Sequence, residues 1–71
     1  RVNCIAPGVI QTKFSTALWA TEKYRKRTDE NTALHRIGQP DEMVGAALFL
    51  ASEASSYITG ETIVVAGGFL P

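Results

Sequence analysis

Apolar positions are not spread evenly along this chain. They gather in a short run at the start, one block past the middle and another short run near the end. In the first run Val2, Cys4 and Ala6 alternate while Ile5 fills the other face, which predicts a strand over residues 1–6 covered on both sides. Cys4, mid-strand, reads as a small buried apolar residue. Pro7-Gly8 then stops the run, since proline removes a ladder donor and glycine permits backbone conformations closed to other residues. Val9-Ile10-Gln11-Thr12 follows as a loop leaving the carboxyl end of a buried strand, the edge at which open α/β sheets bind ligands.

The middle of the chain changes character. Phe14, Leu18 and Trp19 lie four and five apart, roughly one face of a short helix that Ser15 or Thr16 is placed to cap. Residues 21–34 are strongly polar, with Glu22 four before Lys26 in the favourable order for a surface pair. Little burial stands behind such a helix, so residues 21–34 are expected to be a mobile segment of the cofactor and substrate loop and lid at 7–35. Gly38 is placed to end that helix or support a turn. Gln39-Pro40-Asp41-Glu42 reads as a helix start, with proline at the first position and two acids at the positive end of the dipole.

From Met43 to Ala51 the helix is apolar around its whole circumference apart from Gly45. A helix on one sheet needs a single apolar stripe, so the helix over 40–52 must be covered twice, and a subunit interface is the natural second cover. Residues 52–56 read as a polar loop, and Thr62-Ile63-Val64-Val65-Ala66 as a buried strand ended by Gly67-Gly68. Strand, helix, helix, strand predicts a parallel pair joined by a right-handed crossover.

Composition narrows the function classes. Seven basic residues balance seven acidic ones, which gives no reason to expect nucleic acid or an anionic membrane as partner. Lys23, Arg25, Lys26 and Arg27 read as a solvated helix face. The longest apolar run is about half of the ~18 residues a membrane span needs. One cysteine excludes an internal disulfide and fits a reducing, intracellular compartment. His35, the single histidine, has no partner at ligand spacing and reads as a surface residue near a helix end. A chain of 71 residues beginning on Arg1 inside a strand is expected to be the carboxyl-terminal piece of something longer.

Four stretches resemble the short-chain dehydrogenase/reductase family in the family's own order: residues 1–12, then Arg36-Ile37-Gly38-Gln39-Pro40-Asp41-Glu42, Ser55-Ser56-Tyr57-Ile58-Thr59-Gly60-Glu61, and Thr62-Ile63-Val64-Val65-Ala66-Gly67-Gly68. The resemblance implies the last part of a Rossmann-type doubly wound parallel sheet, two adjacent strands with crossover helices. Residues 12–15 with Leu18-Trp19, and 55–61, look most like an NADP-dependent subgroup that reduces ketones, quinones and retinal. By this resemblance Pro7, Gly8, Val9, Ile10 and Thr12 hold the nicotinamide of NADP, with NAD possible. Ile10 would use its backbone groups and Thr12 its hydroxyl. Phe14, Leu18 and Trp19 would line the pocket for a small carbonyl or alcohol substrate. The 40–52 helix and 62–66 strand, with Tyr57 nearby, would build a homo-oligomer, dimer or tetramer. Members of the subgroup often end in a peroxisomal tripeptide, which the terminal Phe69-Leu70-Pro71 does not match; the expected location is intracellular, cytoplasmic or peroxisomal.

Plainer readings stand beside these. Pro7-Gly8 can be a simple turn, Thr12 a local cap, and Trp19 an anchor for the lid. Hydride transfer to a ketone also needs a proton donor with a controlled pKa, which the family builds from serine and Tyr-x-x-x-Lys. Four residues after Tyr24 stands Thr28, and four after Tyr57 stands Glu61. No glycine-rich pyrophosphate turn is present either, so the chain is not expected to catalyse anything unaided. Rival readings are a ketoacyl carrier-protein reductase, a sugar or steroid dehydrogenase, and a non-catalytic interaction module. The absence of a Gly-x-Ser-x-Gly elbow counts against a hydrolase.

Overall fold

The computed structural model describes residues 1–69; Leu70 and Pro71, and with them the reading of the terminal tripeptide, lie outside the described residues. Two strands, β1 (Cys4–Pro7) and β2 (Thr62–Val65), pair in parallel with Cys4 opposite Thr62 and Pro7 opposite Val65. Between them run α1 (Thr16–Trp19), α2 (Glu22–Asn31), a 3₁₀ turn (Pro40–Met43), α3 (Val44–Ala51) and a second 3₁₀ turn (Glu53–Ser55).

A polar clamp at the amino end sets the strand register. The Arg1 guanidinium donates to the carbonyls of Ile58 (2.9 Å), Leu50 (3.0 Å) and Ser52 (3.3 Å), so it ties the end of α3 to the turn before β2. A cation beside the last carbonyls of a helix also meets the negative end of its dipole. Asn3 works both ways: its Nδ2 donates to the Ile58 carbonyl at 3.1 Å and its Oδ1 accepts the Glu61 N–H at 3.0 Å. The Gly60 N–H donates to the Val2 carbonyl (2.7 Å), and Cys4 N–H to the Glu61 carbonyl (2.8 Å), starting the ladder.

Several boundaries differ from the sequence expectation. Pro7 belongs to β1 rather than stopping it, and the next amide, Gly8 N–H, still donates to the Val65 carbonyl at 3.0 Å. Gly8 is required by proximity: a methyl group there would stand 2.8 Å from both Cα and Cβ of Ala66. Gly38 ends no helix but forms a parallel bridge with Ile10. The 40–52 helix begins as a 3₁₀ turn because Pro40 and the Glu42 carboxylate, which accepts the Gln39 N–H at 3.0 Å, tighten its first turn. The 52–56 stretch is not a plain loop. Ser55 is the most buried side chain, its hydroxyl shared between the Leu50 and Ser52 carbonyls at 3.1 Å each, which closes α3.

Burial is the larger correction. Cys4 is exposed, Val64 and Leu48 are exposed, and Ile37 alone among the described apolar residues is buried. The radius of gyration is 13.8 Å, against about 11 Å for a compact domain of this length, and the thinnest extent is 16 Å. Two strands and short helices in so thin a body half-bury one sheet face, at Ile63 and Val65, and leave the face of Val64 and most of α3 open. Glu22 and Lys26 form no ion pair; among the described residues only Arg36 and Glu42 do.

Candidate functional site

The loop leaving β1 is sewn down on one side and open on the other. Val9 accepts the Gly38 N–H at 3.0 Å, and Gln11 N–H donates to the Gly38 carbonyl at 2.9 Å. Strand alternation therefore turns the backbone groups of Ile10 away from Gly38. There the Ile10 carbonyl accepts from the Ser15 hydroxyl. Gln39 Nε2 donates to Gln11 Oε1 at 3.0 Å, and a methyl at Gly38 would come within 2.8 Å of Ile10 Cδ1.

Thr12 and Ser15 lock each other. Ser15 N–H donates to the Thr12 hydroxyl (3.2 Å), Thr12 N–H to the Ser15 hydroxyl (3.1 Å), and the hydroxyls lie 3.0 Å apart. Ser15 occupies the N-cap position of α1 without capping it, because its oxygen serves the loop instead. Trp19 Nε1 donates to the Thr12 carbonyl at 3.1 Å, which pins α1 to the loop. Thr12, Ser15 and Trp19 thus form one unit.

Two hollows meet at Val9. A shallow cleft of about 130 Å³ is lined by Ile10, Leu34, Arg36, Met43 and Ala66 among others. A wider groove of about 460 Å³ lies between α1 and α2, with Leu18, Phe69, Tyr24, Arg27, Thr28 and Asn31 completing its walls. Of the three expected substrate residues, Leu18 lines this groove. Trp19 lines neither hollow, and Phe14 precedes α1 with its side chain fully exposed. Tyr24, Arg27, Thr28 and Asn31 belong to the stretch expected to be a polar, little-buried helix, yet their i, i+3, i+4, i+7 spacing marks one face, and that face lines the groove.

Beside the cleft, Arg36 grips Glu42 through two parallel bonds of 2.7 and 2.9 Å. That hydrogen bond, helped by the Gln39 N–H, holds the Glu42 carboxyl down at about 2 and raises Arg36 above its ordinary range. Gly67 lines the far wall, and it and the following Gly68 both have positive φ. Their carbonyls accept the Leu34 and Ala33 N–H groups at 3.0 and 3.2 Å, and Thr32 bridges Phe69. His35 sits on the surface with φ 55°, its Nδ1 3.1 Å from the Asp29 carbonyl. Among the described residues no three His, Cys, Asp or Glu side chains gather to hold a metal, and no helix is long and apolar enough to cross a membrane.

Residues 1–70 match the family model described as enoyl-(acyl carrier protein) reductase. The chain belongs to the short-chain dehydrogenase/reductase family. Its relatives include dehydrogenase/reductase SDR family member 4 of Oryctolagus cuniculus, 52% identical over 96% of this chain and 26% of that protein. A gluconate 5-dehydrogenase from Burkholderia cenocepacia, solved with NADP and tartrate, superposes with a TM-score of 0.92 at 40% identity, over 96% of this chain and 27% of that one. A 4-hydroxyisoleucine dehydrogenase complexed with NADH gives 0.88 at 32% identity over 96% and 28%. The chain thus spans about a quarter of the length of the short-chain dehydrogenase/reductase proteins it matches. Its parallel pair and crossover helices are a Rossmann-like part of that family's fold.

Proposed function

We propose that the protein to which this chain contributes reduces ketones and related carbonyl compounds with NADP(H), and that this part holds the nicotinamide side of the site. The observation that carries the reading is the edge of Ile10, turned away from the Gly38 bridge at the carboxyl end of β1. An amide N–H and C=O side by side match the acceptor and donor of a carboxamide. The Ile10 carbonyl has a second lone pair beyond the one given to Ser15, and Thr12 keeps its hydroxyl within the same unit. The residues present therefore fit one end of the cofactor. Pro7, Gly8 and Val9 fix the backbone path to that edge. When bound, the nicotinamide supplies or accepts the hydride. This chain's own share is to orient the ring, to set the lid α1–α2 over the substrate groove, and to exclude water there.

NADP is preferred to NAD on the resemblance of residues 12–15, 18–19 and 55–61 to an NADP-dependent subgroup, and apolar carbonyl compounds are inferred from Leu18, Phe69 and Val9 on the groove wall. The proton donor comes from the remainder of the protein. A second copy, and the rest of the sheet, cover Val44, Leu48 and Val64. The test is turnover of a ketone panel by the full-length protein, followed by loss of NADPH absorbance, with NADH in parallel. NADPH-dependent reduction is expected. A folded protein that reduces no ketone with either nucleotide overturns the reading.

A further inference from the structure

The groove between α1 and α2 has walls of opposite character. One side is apolar: Val9, Leu18 and Phe69. A helix stripe facing such a wall is ordinarily aliphatic, since that is how an amphipathic helix buries its face. Here the stripe of α2 is Tyr24, Arg27, Thr28 and Asn31. Thr28 is buried and its hydroxyl is spent within the helix, donating to the Tyr24 carbonyl at 3.0 Å. Arg27 and Asn31 are different. Among the described residues neither side chain makes a hydrogen bond, and the single ion pair, Arg36 with Glu42, lies beside the other hollow. Asp29 and Glu30 do not line the groove, and neither do Lys23, Arg25 or Lys26. When the groove fills, a guanidinium and a carboxamide lose water with no partner among the described residues to replace it, which is costly unless the occupant brings an acceptor.

We propose that this groove takes the acid end of the substrate: a carbonyl or hydroxy compound bearing a carboxylate, which Arg27 grips and Asn31 supports through its amide N–H. The assignment rests on the reductase reading above and names its substrate class. Arginine's planar fork matches a carboxylate with two parallel bonds. One guanidinium balances one negative charge, so a carboxylate fits better than a doubly charged phosphoryl group. A volume of about 460 Å³ suits a small organic acid with an apolar middle against Leu18 and Phe69. Val9 adjoins Ile10, so a molecule anchored on Arg27 extends its other end toward the nicotinamide loop.

The experiment is calorimetric titration of the full-length protein with 4-benzoylbutyrate and with its neutral methyl ester. The acid is expected to bind on the order of ten- to a hundred-fold more tightly, as charge-assisted hydrogen bonds allow. Arg27→Gln removes most of that preference, Arg27→Lys keeps part of it, and Lys23→Gln, outside the groove, leaves it in place. Equal binding of acid and ester, binding of neither, or an equal loss of both in Arg27→Gln overturns the proposal. Tighter binding of the matching phosphonate overturns the carboxylate assignment. An intact acid preference without NADP(H)-dependent turnover would instead remove the reductase reading and leave the groove assignment standing.

Discussion

Replacing Asn3 by alanine tests whether a polar clamp, rather than apolar burial, fixes how β1 meets β2. Asn3 makes two bonds to one turn, Nδ2 to the Ile58 carbonyl at 3.1 Å and Oδ1 from the Glu61 N–H at 3.0 Å. Each is worth about 0.5–1.5 kcal/mol net, so the pair amounts to about 1–3 kcal/mol. The Ile58 carbonyl keeps its bond from Arg1, while the Glu61 N–H is left to solvent, which places the expected loss near the middle of that range. In a domain of 150–250 residues each kcal/mol lowers the melting temperature by roughly 2–4 °C. Asn3→Asp separates the two bonds: it keeps the acceptor for Glu61 and sets an oxygen against the Ile58 carbonyl. Urea denaturation of the full-length protein gives the free energy, and hydrogen exchange at Gly60 and Glu61 shows whether the damage is local. An Asn3→Ala protein as stable as the parent, or an Asn3→Asp protein with no loss, would refute the clamp.

Gly8→Ala forces a methyl to within 2.8 Å of Ala66 backbone and side chain, and overpacking of this kind costs about 1–3 kcal/mol; urea denaturation of the full-length variant measures it. Trp19→Phe removes the indole N–H from the Thr12 carbonyl at 3.1 Å, so a faster-exchanging α1 is expected by hydrogen exchange, with a net loss of about 1 kcal/mol. The Glu42 carboxyl, held at about 2 chiefly by its hydrogen bond to Arg36, has a folded pKa below its unfolded one. Its contribution is therefore present above the ordinary carboxylate range and is lost as pH falls toward 2. Both groups are solvent-exposed, so the effect on stability is small; the direct measure is a carboxyl NMR titration, in which Arg36→Ala returns Glu42 toward its usual value.

The element order was legible because it rests on local signals. Strand-forming runs at both ends, Pro40 followed by two acids, and paired glycines at 67–68 each act within a few residues. Burial was not legible. Alternating or continuous apolar residues report which faces need cover, not whether the same chain supplies it, and Cys4, Leu48 and Val64 stand open accordingly. Nor was the clamp legible: Arg1 and Asn3 meet residues 49 to 58 positions away, and no local period announces a contact at that separation.

The loop shows where the two levels join. Pro7-Gly8 looks like punctuation in the sequence, yet Gly8 is there because Ala66 is close, and Pro7 is tolerated as the last paired residue of β1 because the donor to Val65 at that point is the Gly8 N–H. From that fixed point the backbone is held on one side by Gly38 and on the other by Ser15, so the direction of the Ile10 edge is set by bonds at 9, 10 and 11 rather than by its own side chain. This explains why an aliphatic residue can stand at a position proposed to recognise a polar ring: the recognition is backbone work. It also explains why α2 carries polar residues on its inner face. On the proposed reading, where the loop supplies only main-chain groups, discrimination among substrates falls to the lid, and Arg27 is the charged side chain of the lid that lines the groove.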